Sequence, residues 1–302
     1  MNLQFLVAVL LLTEGIFAAG AQQILYVGDS TGKVSAIQPD GSVHSFYQHT
    51  SSIEGLATDS LGNVYAAGDN SLIALTPDGS TRTAATSSLF HQGISLVRDR
   101  SGNFYESVIN FTGPFPLTTN RILKIAPSGV VSVLADNLDI AGSLAIDRND
   151  NLFFSGTGHI DEIKPDGTRR LFRDGTSYRA DALAFDTEGN LYQANSVSGD
   201  IERYSSLGQD LGIYLNTGAS TVAFAFDQND DLYTINYFPN YDREEIDKYN
   251  LQGQPDAIAG FNAKTLNSSL AFSPAAVPEP GSMALLAGVV GAGLLVLHKR
   301  RR

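Results

Sequence analysis

The chain has no cysteine and no tryptophan. The first absence excludes disulfide scaffolds, thiol nucleophiles and thiolate metal sites. Charge is also sparse, at 17% of 302 residues, and basic groups are the minority, with 20 Lys and Arg against 32 Asp and Glu and a net charge of −12. A surface of that sign repels phosphate backbones, so nucleic-acid binding is excluded as the main task. With 43% hydrophobic residues, neither a disordered acidic tail nor a coiled coil fits. There is no Gly-x-Ser-x-Gly elbow, no phosphate-binding glycine loop and no His-Glu-x-x-His. What is abundant is glycine (29), phenylalanine (16) and tyrosine (12), a mixture that suits many short strands and tight turns.

Between residues 22 and 274 the chain repeats. The block Leu56-Ala57-Thr58-Asp59-Ser60-Leu61-Gly62-Asn63-Val64-Tyr65 returns at Leu96–Tyr105, Leu144–Phe153, Leu183–Tyr192 and Phe224–Tyr233. Its aspartate column is Asp59, Asp99, Asp147, Asp186 and Asp227, spaced by 40, 48, 39 and 41 residues. A second column holds Gly41, Gly79, Gly129, Gly167, Gly208 and Gly253, and the first four follow Pro39, Pro77, Pro127 and Pro165 by two positions. Each unit parses into four strands. Strand a is the Leu-Ala-x-Asp segment, and strand b follows the Asp-x-x-Gly-Asn turn. Strand c has apolar residues three apart, such as Leu72 and Leu75, and strand d follows the Pro-x-Gly turn. Proline presets φ at such a turn and glycine tolerates φ > 0.

Four-stranded units of about 40 residues are propeller blades. The N-terminus begins at a strand b, Ile24–Val27, without a strand a, and the C-terminus supplies an orphan strand a, Ser269–Phe272. Together they predict one shared closing blade. The expected fold is therefore an all-β, six-bladed β-propeller with four-stranded blades. The repeat resembles the NHL and gluconolactonase-like propellers.

The two ends read as addresses. Residues 1–21 carry an apolar run, Leu3–Leu12, and end in Ala19-Gly20-Ala21, the small-x-small pattern of a signal-peptide cleavage site. Residues 275–302 carry Val277-Pro278-Glu279-Pro280, an uncharged segment to Leu297, and a basic end, Lys299–Arg302. That tripartite tail resembles the PEP-CTERM sorting signal of Gram-negative, biofilm-forming bacteria. The resemblance implies an exosortase-type partner, a transient inner-membrane anchor through the C-terminal segment, and delivery to the envelope, outer surface or extracellular matrix.

Candidate site residues follow from the repeat. Asp147–Asn151 and Asp227–Asp231 echo a calcium loop, yet position six is Leu152 or Leu232 and position twelve Gly158 or Phe238. An EF-hand needs Gly and Glu there, so these read as Asx-type turns. Counting five residues before each column aspartate gives the entrance of strand a: Glu54, Ile94, Gly142, Asp181, Val222 and, in the shared blade, Ser268. Gluconolactonase-like hydrolases hold a divalent cation with a Glu, an Asn and an Asp from comparable positions. By that resemblance Glu54 and Asp181 are candidate metal residues, but no Asn stands in the remaining places. No bound metal or cofactor is expected, Ca2+ being the alternative. His91 lies near the entrance of its blade. Two insertions, Val108–Leu117 in blade 3 and Tyr237–Arg243 in blade 6, are read as expanded b–c loops on the same face. They place Phe111, Phe115, Tyr237 and Tyr241 opposite one another around the tunnel mouth.

Three functions remain open: a non-catalytic propeller binding an extracellular glycan or peptide, a divalent-metal-dependent gluconolactonase-like hydrolase or lyase, and a structural matrix component. No residue is assigned a catalytic role.

Overall fold

The computed structural model describes residues 23–68, 70–111, 118–139, 142–176, 180–195, 197–238, 243–256 and 269–274. The segments read from sequence as a leader (1–21) and a sorting tail (275–302, Val277-Pro278-Glu279-Pro280 included) lie outside them. The chain divides into two units, one of residues 24–273 and the other of 1–23 with 274–302. The first is a ring of six four-stranded antiparallel sheets, as the repeat predicts.

Blade 1 joins both ends of the ring: β24 (Ser269–Phe272) pairs with β1 (Leu25–Gly28), followed outward by β2 (Lys33–Ile37) and β3 (Val43–Gln48). Blade 2 is β4 (Gly55–Thr58), β5 (Val64–Gly68), β6 (Ser71–Leu75) and β7 (Thr81–Thr86). Blade 3 is β8 (Gln92–Arg98), β9 (Phe104–Phe111), β10 (Thr118–Ile125) and β11 (Val131–Leu138). In blade 4 the order is β12 (Leu144–Ile146), β13 (Leu152–Ser155), β14 (His159–Ile163) and β15 (Arg169–Asp174). Blade 5 runs β16 (Ala180–Phe185), β17 (Leu191–Asn195), β18 (Asp200–Tyr204) and β19 (Asp210–Asn216). Blade 6 ends the set with β20 (Ser220–Phe226), β21 (Leu232–Phe238), β22 (Arg243–Tyr249) and β23 (Pro255–Asp256).

Among the described residues the core is six clusters, one for each contact between neighbouring blades. Tyr26, Val34, Leu56 and Val64 join blades 1 and 2; Phe153, Ile160, Leu183 and Leu191 join blades 4 and 5. Val27, Ile37, Ile235 and Ile246 join blade 6 back to blade 1. Alternation along each strand sends successive side chains to opposite neighbours, so every blade is buried on both faces.

The repeated columns are the joints. The column aspartates cap the turn between the first two strands: Asp59 accepts from the Leu61 and Asn63 amides at 2.9 and 3.0 Å, and from Asn63 Nδ2 and the Tyr65 hydroxyl at 2.8 and 3.1 Å. Burial raises the Asp59 pKa, but these donors outweigh it and hold the carboxyl below its usual value. Asp227 shows the converse. Burial raises it, Asp231 stands where the other turns have asparagine, and its charge pushes the same way. The fourth position of this turn needs φ > 0, and in blades 4 and 6 it is Asp150 (φ 62°) and Asp230 (φ 61°) rather than glycine. Their carboxylates reach the preceding blade. Asp150 accepts from Arg100 N and Nε at 3.1 and 3.2 Å, and Asp230 from Thr187 N at 2.7 Å. The calcium-like sequences are thus turn caps and blade-to-blade ties.

One expectation changes. The insertions in blades 3 and 6 lengthen strands as well as loops: Val108–Phe111 pair with Thr118–Arg121, and Tyr237–Phe238 pair with Arg243 and Glu244. Alternating β-formers on both sides of each insertion let the hairpin ladder continue outward.

Ring closure is testable. A chain ending at Phe261 lacks β24, whose Ala271 is buried and whose Leu270 and Phe272 pack against the blade 6–blade 1 cluster. Losing that burial costs about 3 kcal/mol or more, so thermal melting is expected roughly 10 °C lower, or replaced by aggregation through the two opened edges. Melting indistinguishable from the parent would contradict the shared blade.

Candidate functional site

The innermost strands of all six blades surround an axial tunnel of about 470 Å³, walled by residues of β4, β8, β12, β16, β20 and β24. Small residues at Gly55, Ala57, Ser143, Ala145, Ala182, Ala184, Ala223 and Ala225 let six strands converge there.

The entrance column lies where expected along the chain, with a feature that sequence reading missed. Ile94, Asp181 and Val222 are each the extra residue of a register shift, between Gly93 and Ser95, Ala180 and Ala182, and Thr221 and Ala223. A bulge re-aims its extra side chain, and Ile94 and Val222 form part of the tunnel wall. Asp181 is described by its backbone in β16, on the blade opposite Glu54. Gly142 precedes β12, donating its amide to Ser155 O at 3.1 Å and accepting the Ser107 hydroxyl on its carbonyl at 2.7 Å.

Glu54 immediately precedes β4, and its amide donates to Ala67 O at 3.0 Å. Its carboxylate turns sideways to blade 3, where Oε2 accepts from Gly93 N at 2.6 Å. Across the same glycine lies Glu106 of β9, 1% exposed. A Cβ added to Gly93 would stand 2.6 Å from Glu106 Oε1 and 2.9 Å from Glu54 Oε2, so a larger residue there would have to displace one or both carboxylates. Glu106 Oε2 is buried without a hydrogen-bond partner. Burial, and secondarily the Glu54 charge, raise the Glu106 pKa well above the usual glutamate value. The sequence held a signal for it. The third residue of the second strand reads Val27, Ala66, Glu106, Phe154, Gln193 and Thr234, and Glu106 is the one acid in an otherwise uncharged column.

His91 is exposed, just before β8. Phe111 ends β9, two residues beyond the Ile109–Gln92 pair, so the blade 3 hairpin projects past its inner strand. Tyr237 is half-buried, between Ser220 and Glu244 in the ladder. Phe115 and Tyr241 lie outside the described residues. The register puts the blade 3 and blade 6 hairpin tips on the face where β8 and β20 begin.

The divalent cation implied by the gluconolactonase-like resemblance does not fit the donors present. A hard cation wants six or more oxygens, while Ile94 and Val222 bring hydrocarbon, Gly142 brings no side chain, and Glu54 Oε2 is held by Gly93. Among the described residues no three His, Asp or Glu side chains gather to hold a metal ion.

Glu106 gives a pH test. A folded pKa raised above the unfolded one contributes stability that is complete below the ordinary glutamate value and is lost as pH rises through the folded pKa. Glu106→Gln cannot ionise. It should therefore melt above wild type at about pH 8, with the advantage gone near pH 4, around the unfolded glutamate pKa. Parallel melting curves across that range would contradict a neutral buried Glu106.

A family model described as the SMP-30/Gluconolactonase/LRE-like region matches residues 12–235. No curated protein matches by sequence. Among solved structures, a chain of the nidogen/laminin complex has a TM-score of 0.69 at 15% identity, covering 84% of this chain and 100% of that one. A gluconolactonase from Xanthomonas campestris has 0.61 at 21% identity, covering 72% and 80%. Virginiamycin B lyase from Staphylococcus aureus has 0.58 at 14% identity, covering 82% and 86%. At these identities the structural likeness establishes the shared fold. The family match spans most of the propeller, and the chain belongs to the SMP-30/gluconolactonase/LRE-like family.

Proposed function

We propose that this chain is an exported, non-catalytic propeller, sorted to the cell envelope or extracellular polysaccharide matrix, which binds a glycan or peptide on the tunnel-mouth face. The observation that carries the reading is the pair of long hairpins on opposite blades. β9 and β10 have 8 residues each and β21 and β22 have 7, against 4 or 5 in the corresponding strands of the other blades. Projecting hairpins on a rigid ring are a usual place for recognition. Of their aromatic residues, Tyr237 is half-buried on β21; the sequence adds Phe111, Phe115 and Tyr241 as proposed stacking residues, with Glu54, His91 and Asp181 as the proposed polar groups. The export half of the proposal rests on the leader and the Val277-Pro278-Glu279-Pro280 tail.

A divalent-metal-dependent hydrolase or lyase is the second reading. Family membership and the gluconolactonase and lyase among the fold neighbours favour it; the donor set at the mouth does not.

Two outcomes are expected. On a glycan array, Tyr237→Ala combined with Phe115→Ala should weaken binding about tenfold or more, each stacking contact being worth about 1 kcal/mol. Loss of a lactonase or lyase activity in Glu54→Gln with Asp181→Asn, while the aromatic pair is silent, would favour the enzyme instead. For export, mass spectrometry of the protein from cells with the cognate exosortase should find a C-terminus lacking the apolar tail. Recovery of Lys299–Arg302 in most molecules would leave a conventional anchor.

A further inference from the structure

We propose that Glu54 is a latch tying blade 2 to blade 3, and that the binding face works without the divalent cation that the family resemblance implies. This rests on the binding reading above. The support is a device repeated around the ring. Ser95 Oγ of blade 3 accepts from Leu144 N of blade 4 at 3.1 Å, and Ser143 Oγ of blade 4 accepts from Leu183 N of blade 5 at 3.0 Å. Glu54 Oε2 of blade 2 accepts from Gly93 N of blade 3 at 2.6 Å. Three successive blades thus each lend a side-chain oxygen to an amide on the next innermost strand.

Gly55 explains why the first of these is an acid. The serine clasps come from the residue after the entrance column, at 95 and 143, but blade 2 has glycine there. A Cβ on Gly55 would lie 2.5 Å from Leu96 Cβ and 2.9 Å from Leu96 N, so the close approach of blade 3 forbids a side chain. The longer Glu54 supplies the oxygen from one position earlier and reaches an amide three residues before Leu96. A carboxylate accepting a backbone N–H is among the stronger hydrogen bonds. The rest of the column agrees. Ile94 and Val222, set by their bulges, wall the tunnel with hydrocarbon where oxygen donors would have to stand.

The test uses the exported protein, with melting curves and calorimetric titration in EDTA and in millimolar Ca2+, Mn2+ or Zn2+. Wild type is expected to melt at the same temperature in each and to bind no stoichiometric cation. Glu54→Ala should melt roughly 5 °C lower, while Glu54→Gln, whose amide oxygen can still accept from Gly93, should stay near wild type. One equivalent of cation bound by wild type and lost in Glu54→Gln would overturn the proposal, and so would a Glu54→Ala protein with unchanged melting. Where Glu54→Ala fails to fold, the Glu54→Gln titration decides. Failure to find any glycan or peptide ligand leaves these measurements untouched, so the two readings fall separately.

Discussion

The structure depends on how six sheets meet around one axis. Each innermost strand must come close enough to its neighbours to bury both faces of every blade, yet each carries main-chain groups that need partners there. Small residues solve the first problem and borrowed side-chain oxygens the second. Ser95, Ser143 and Glu54 each serve an amide of the following blade, and Thr58 Oγ1 donates to Phe272 O at 2.6 Å, binding blade 2 to the strand that closes the ring. Closure itself is four residue pairs between β24 and β1. With it in place blade 1 has four strands like the other five.

Much of this was legible in the repeat. The Asp-x-x-Gly-Asn and Pro-x-Gly columns are turn chemistry, governed by local φ and by side chains bonding their own backbone, so they read directly from residues such as Asp59 and Gly79. The shared blade was legible because a unit missing its first strand and an orphan first strand complement each other. Less visible were the bulges at Ile94, Asp181 and Val222. A register shift depends on what the paired strand does, and no local residue pattern announces it. The hairpins in blades 3 and 6 were read as loops for a related reason: Val108–Phe111 extend a ladder only because Thr118–Arg121 lie opposite.

The candidate site was half legible. Glu54 and Asp181 were singled out by counting along the column, and the register sets them on opposite blades. The use to which Glu54 is put depends on Gly93, and Glu106 belongs to neither column from which the site was built. Its significance comes from burial and from a neighbour in another blade, which spacing along the chain does not encode. The resulting mouth has an acid engaged with the backbone, hydrocarbon at two entrance positions and aromatic-bearing hairpins on two opposite blades. The proposed recognition rests on that arrangement, while the family to which the chain belongs keeps a hydrolytic reading in competition.

The most direct measurement is the exchange rate of the Gly93 amide proton by NMR, with and without millimolar Ca2+. A latch predicts strong protection in both conditions, since Glu54 Oε2 accepts that proton at 2.6 Å. Protection that collapses when Ca2+ is added would mean that the carboxylate leaves Gly93 for a cation, and the account of this mouth as a cation-free binding face would be wrong.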